Sequence, residues 1–156
     1  MKQVVQFLDI ILTGLISGII FGVWVGFNPQ GLSAVAYVEQ QQNAIRALNV
    51  LMPILGLMSM ILTVVYAILI KKDKLNRNLL LISVVFLVVS GFVTRFGNQP
   101  INAVVITWDL SNIPDNWRIL RDKWWTFHII RTLSTLIGFG LIVWATLGHK
   151  SRDTTA

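Results

Sequence analysis

The chain contains no cysteine, which excludes disulfides, thiolate metal sites and thiol redox chemistry. It has two histidines, far apart in sequence, which disfavours a metal cluster such as a zinc or copper site. Charge is also scarce. Only 13% of residues are Asp, Glu, Lys or Arg, against about 25% in a soluble domain. What fills the space is apolar: 54% of residues are hydrophobic and the mean hydropathy is +0.69. The composition places the chain in a membrane, and 156 residues make one domain, 1–156, rather than two. The net charge of +6 comes with no nucleic-acid-binding motif, so topology rather than nucleic acid accounts for it. No internal repeat is visible, which disfavours a transporter that rocks about a midplane site.

Long apolar runs predict an all-α integral membrane four-helix bundle. A crossing needs roughly 20 apolar residues, and four stretches qualify: about 7–27, 48–70, 79–96 and 127–147. Ala34-Val35-Ala36 resembles a signal-peptidase site, but the first run is too long and too distant from it for a signal peptide. That run carries Gly14, Gly18, Gly22 and Gly26 in perfect register. Such a ladder clears one helix face for close approach by a neighbour, which makes it the expected contact for a homo-oligomer or a larger membrane complex.

Between the runs, Asn28-Pro29-Gln30-Gly31 reads as a turn. Residues 32–49 are mixed and predict a helix partly outside the membrane. Four crossings put both termini on one side, with Lys2, Lys71, Lys72, Lys74, Arg77, Lys150 and Arg152. The other side holds Arg46, Arg118, Arg121 and Lys123, offset by Glu39, Asp109, Asp115 and Asp122. The positive-inside rule then predicts a multi-pass plasma (inner) membrane protein with both termini cytoplasmic.

The organising stretch is the outer polar segment 97–126 together with the helix that follows it. An extra outer-face helix is expected here, between the third and fourth crossings. Gln99 precedes Pro100 and should leave helical angles, so the third helix should end near Asn98 and a short helix should open at Pro100 and run through Trp108. Pro114 suits the first turn of the last helix. From it, Trp117, Arg121, Trp124, His128, Arg131, Thr135 and Gly138 recur at steps of three and four and share one face. From Pro114 to Leu147 a helix is about 50 Å long, so its first turns should project outward or it should bend near Trp124. Arg95, Asn98 and Asn102 are expected to face the stripe. Each residue also has a plain structural reading. Trp125 and Trp144 fit an interfacial belt, the arginines can snorkel or hold loop carbonyls, and a lone histidine is commonly a packing residue.

The series Asn98-Gln99-Pro100-Ile101-Asn102, Trp108-Asp109, then Pro114, Trp117, Arg121, Trp124, His128, Arg131 and Thr132 resembles the anthrone-oxygenase-like family. These are small four-helix membrane proteins whose bacterial members were long a domain of unknown function. The resemblance implies oxidation of anthrones to anthraquinones by molecular oxygen, with no metal, flavin or other cofactor. On it, His128 is the expected proton acceptor, and Arg131, Arg95 and Asn98 the donors to an enolate oxygen. Asn102, Trp108, Trp117, Arg121 and Trp124 are the expected contacts to a flat hydrophobic molecule. Two other classes stay open: a non-catalytic accessory subunit of a larger membrane complex, and a lipid- or quinone-binding protein.

Overall fold

The computed structural model describes residues 1–153, with side chains to Gly148; Lys150 and Arg152, expected on the cytoplasmic side with Lys2, lie outside the described side chains. The described residues are mostly helical, with six α-helices in chain order: α1 (Lys2–Gly26), α2 (Ala34–Leu48), α3 (Leu51–Leu69), α4 (Lys74–Val93), α5 (Gln99–Val105) and α6 (Trp117–Asp153). Four spans are long and apolar enough to cross a membrane: Lys2–Gly31, Leu51–Leu69, Lys74–Val105 and Trp117–Gly148. Helix α1 packs on α3 and α6, α3 on α4, and α4 on α6, an up-down-up-down bundle. The short α2 lies across α5.

The bundle is apolar outside and polar within. Phe7, Leu15, Leu57, Ile61, Val85, Phe92 and Trp144 are exposed, whereas Asp9, Thr13, Ser59, Thr63, Ser83, Asn98, His128 and Thr132 are wholly buried. Lipid is as apolar as leucine, so burying leucine gives helices little reason to associate; close packing and interhelical hydrogen bonds do the work instead. The α4–α6 seam shows both. Ser83 donates to the Gly138 carbonyl at 2.8 Å, and the Ser90 and Thr135 hydroxyls meet at 2.7 Å. A side chain at Gly138 would press on Leu87 at 3.3 Å.

The glycine ladder does not hold this bundle together. A Cβ added at Gly14 would meet the Phe139 ring at 3.4 Å, but one added at Gly18, Gly22 or Gly26 would meet no neighbouring element within 4 Å. The buried face of α1 is the adjacent one, through Asp9, Thr13, Ile16, Ser17 and Ile20. Polar residues outrank glycines in choosing that face, because their hydrogen-bonding groups cannot be left to lipid.

The expected break before Pro100 is also absent. Gln99 has φ −62° and ψ −40°, fully helical. A π-helical turn, Thr94–Asn98, joins α4 to α5 without interruption. The Gln99 N–H reaches back five residues to the Thr94 carbonyl. In a regular helix the Pro100 ring would crowd the carbonyl four residues earlier; the wide turn takes up one extra residue and moves that carbonyl aside. Helix α6 begins at Trp117 rather than Pro114, which instead accepts the Trp117 N–H at 3.0 Å. Its 37 residues run about 55 Å, and α2 and α5 cover its first turns. The α5–α6 connection is pinned by Asp109, which accepts from the Ser111 N–H and hydroxyl at 2.9 Å each. Those bonds hold its carboxyl below the ordinary range.

Gly97, within the π turn, faces the Phe127 ring so closely that an added Cβ would lie 2.7–3.0 Å from three of its atoms. Gly97→Ala should therefore cost about 1–3 kcal/mol, while Gly22→Ala should leave the protomer unchanged. Thermal melting of the two variants in one detergent checks this, and equal melting temperatures would contradict it.

Candidate functional site

At the end of the bundle away from the Lys71–Lys74 loop, amide side chains tie α2, α5 and α6 together. The Asn102 Oδ1 accepts from Gln41 at 3.1 Å and from the Trp124 indole N–H at 2.8 Å, and its Nδ2 donates to Asn49 at 2.8 Å. Gln42 donates to the carbonyls of Val105, the last residue of α5, and of Trp108 in the turn that follows, at 3.1 and 2.9 Å. The exposed carbonyls of a helix end need such partners. Gln41, Gln42 and Asn49 escaped the sequence reading because a run of glutamines in α2 looks like a solvated face. Asn98 is buried and donates to the Trp124 carbonyl at 3.0 Å; its Oδ1 has no partner. It therefore fastens the π turn to α6 and does not line the cavity described below.

His128 is fully buried, stacked between Trp124 (centroids 5.0 Å apart, 3° between planes) and Trp125 (5.5 Å, 20°). Its Nε2 lies 3.1 Å from the Ile20 carbonyl, and its Nδ1 lies 3.1 and 2.9 Å from Arg131 Nε and Nη2. A carbonyl can only accept and a guanidinium can only donate. The ring is therefore neutral with its proton on Nε2, and its one lone pair is engaged by Arg131. No nitrogen of His128 is open to a substrate.

Arg131 is the residue this arrangement presents. It lies beside a half-open cavity of about 440 Å³ between α1, α3, α4 and α6, lined by Ile16, Ile20, Met60 and Leu87, by the exposed Phe92 and Phe96, and by Ser59, Ser90, Thr94, Arg95, Gln99 and Thr135. That volume suits a small-molecule site. Among the described residues neither Arg95 nor Arg131 has a carboxylate within 4.0 Å. Arg95 is otherwise exposed, so it stands at the rim. Past Arg131 a throat of about 60 Å³, lined also by Trp124, Asn102 and Gln41, adjoins a space of about 650 Å³ along α2.

The rest of the expected constellation is not brought to this cavity. Trp117 stacks on Tyr37 (5.7 Å, 27°) and carries the Arg121 and Arg118 guanidinia at 4.9 and 5.3 Å from its ring centre. Arg121 is held by Asp122 at 2.9 Å and by the Gln30 carbonyl at 3.3 Å. Trp108 packs in the same cluster. The reason is length: Trp117 and Arg131 share a helix face but lie about 21 Å apart along it, beyond any single tricyclic ligand. Conversely, Asp9 is wholly buried in α1, a place not expected from the sequence. A lone carboxylate inside an apolar run was the available signal.

The family model described as anthrone oxygenase matches residues 42–141. No curated protein and no solved structure matches the chain.

Burial raises the pKa of the Tyr37 phenol above its ordinary 10, opposed by the nearby Arg121. Its oxygen has no hydrogen-bond partner. The folded state thus holds the proton more tightly than the unfolded one. The resulting stability is complete below pH of about 10 and is lost as pH rises beyond it, by at most about 1.4 kcal/mol per pH unit. Tyr37→Phe should remove that loss while leaving stability near neutral pH unchanged or higher. Melting curves between pH 8 and pH 11, in units of about one, check it; the same alkaline slope in both proteins would contradict it.

Proposed function

The chain belongs to the anthrone oxygenase family, and from that premise we propose that it is a cofactor-independent membrane oxygenase acting on a flat, enolisable aromatic ketone in the cavity beside Arg131. One observation carries the reading: a guanidinium with no carboxylate partner borders a largely apolar cavity of ligand size. A cation so placed has an anion as its natural complement, and the anion of an anthrone is the species that reacts with oxygen. Loss of a benzylic proton gives the enolate, whose oxygen pairs with Arg131. Its carbon adds O2 to give a peroxide anion. Protonation gives the hydroperoxide, which loses water to leave the quinone carbonyl. Ketone and O2 become quinone and water, so no outside electron donor is needed.

In this reading Arg131 touches the substrate, and Arg95 supports it at the rim. His128 is a positioning residue: its Nδ1 fixes two guanidinium N–H groups and so aims the remaining ones. Donors fixed before the reaction stabilise developing charge without reorganising. The basic loop Lys71–Lys74 marks the cytoplasmic end, which puts the α2–α5 end outside. Arg131→Gln should lower anthrone-dependent oxygen uptake by about 10²–10³-fold. His128→Phe, which keeps the stacking, should lower it less and leave binding intact. Unchanged uptake in Arg131→Gln protein would defeat the proposal, as would wild-type protein that binds anthrone and consumes no oxygen.

A second reading, packing against another membrane chain, is favoured by the openness of Gly18, Gly22 and Gly26 on the lipid side. Under it, Gly22→Leu should reduce an oligomer to protomers in light scattering without changing the melting temperature. An unchanged oligomer would argue against that contact.

A further inference from the structure

We infer that Asp9 is the group that stores the substrate's proton during turnover, reached from the cavity through the hydroxyls of Ser59 and Thr13. This rests on the oxygenase reading of that cavity. The need for such a group follows from the site itself, since His128 has both nitrogens engaged and Arg131 is a cation. The cavity wall supplies a route. Ser59 lines it, and the Ser59 hydroxyl lies 2.6 Å from the Thr13 hydroxyl, which lies 3.4 Å from Asp9 Oδ1. All three residues are completely buried. A hydroxyl both donates and accepts, so each can take a proton on one side as it hands one on at the other.

The end of the route is built for two charge states. Thr63 Oγ1 lies 2.9 Å from Asp9 Oδ1 and equally 2.9 Å from the Ser59 carbonyl. Its single hydrogen can serve the carboxylate when Asp9 is ionised, and turn to the carbonyl when Asp9 is protonated. Asp9 Oδ2 has no hydrogen-bond partner to lose in either state. An enclosed carboxylate with one oxygen unsatisfied is costly in a membrane protein and calls for a role.

The step balances. The benzylic C–H bond breaks, its proton enters at Ser59, and an O–H bond forms on Asp9 while the electron pair remains on the enolate. After O2 adds, the peroxide anion recovers the proton along the same hydroxyls and becomes the hydroperoxide. No net proton enters or leaves, so the store needs no connection to either aqueous side. Asp9 and Thr13 lie outside the matched residues 42–141, whereas Ser59 and Thr63 lie within them.

The test separates ionisation from oxidation. Protein in lipid bilayers is mixed with anthrone without oxygen, and anthrone anion is followed by absorbance and carboxyl protonation by infrared difference spectroscopy. Wild type should form the anion together with a protonated-carboxyl band, and Asp9→Asn should lack the band and form the anion about a hundredfold more slowly. Thr13→Val, which keeps the shape and leaves Asp9 in place, should also be slow, although it binds anthrone normally. Anion formation at the wild-type rate in both variants, or without the band in wild type, would overturn the assignment to Asp9 alone. Anthrone that binds to wild type and never ionises would instead overturn the oxygenase reading on which it rests.

Discussion

Everything at the centre of this bundle depends on one contact, the acceptance of two Arg131 N–H groups by the lone pair of a neutral His128. Arginine inside a membrane protein ordinarily pairs with a carboxylate or snorkels to the headgroups. Here a neutral acceptor holds the guanidinium and leaves its charge uncancelled. The histidine can play that part because the Ile20 carbonyl fixes its proton on Nε2 and two indoles clamp its ring. Trp124, in turn, is held by Asn102, which is held by Gln41 and Asn49. A chain of amides from α2 thus sets the direction of a cation in α6.

Much of the fold was legible in the sequence. Four apolar runs, a basic loop and a polar stripe at helical spacing follow from length, charge and period, and the bundle has these parts. The parts that were not legible share a cause: each depends on a partner distant in sequence. Gln99 stays helical because a π turn, braced by Asn98 on the Trp124 carbonyl and by Gly97 against Phe127, makes room for Pro100. The glycine ladder is visible by its register, but the face that α1 turns inward is the adjacent one. Asp9, Thr13 and Ser17 are just as regular, at every fourth residue, but their pull toward the interior appears only once Ser59 and Thr63 stand opposite.

The site was legible in composition and not in extent. A helical period shows which residues share a face and says nothing of how far apart they lie along it. Trp117 and Arg121 therefore entered the same constellation as Arg131, although they belong to a separate cluster with Tyr37. His128 stood out as the one side chain suited to proton transfer near neutral pH. Its surroundings give it a different task, which only the identity of its two partners reveals.

The central claim is that the cation at Arg131 is the anchor of a ligand site between α1, α3, α4 and α6. A crystal structure of the protein with an unreactive tricyclic ketone bound tests it most directly. The account predicts the ring system within that cavity and its oxygen within hydrogen-bonding distance of Arg131, with the bonds from Arg131 to His128 intact. A ligand seated instead against Trp117 and Tyr37, or an Arg131 side chain swung out to the headgroups, would contradict it.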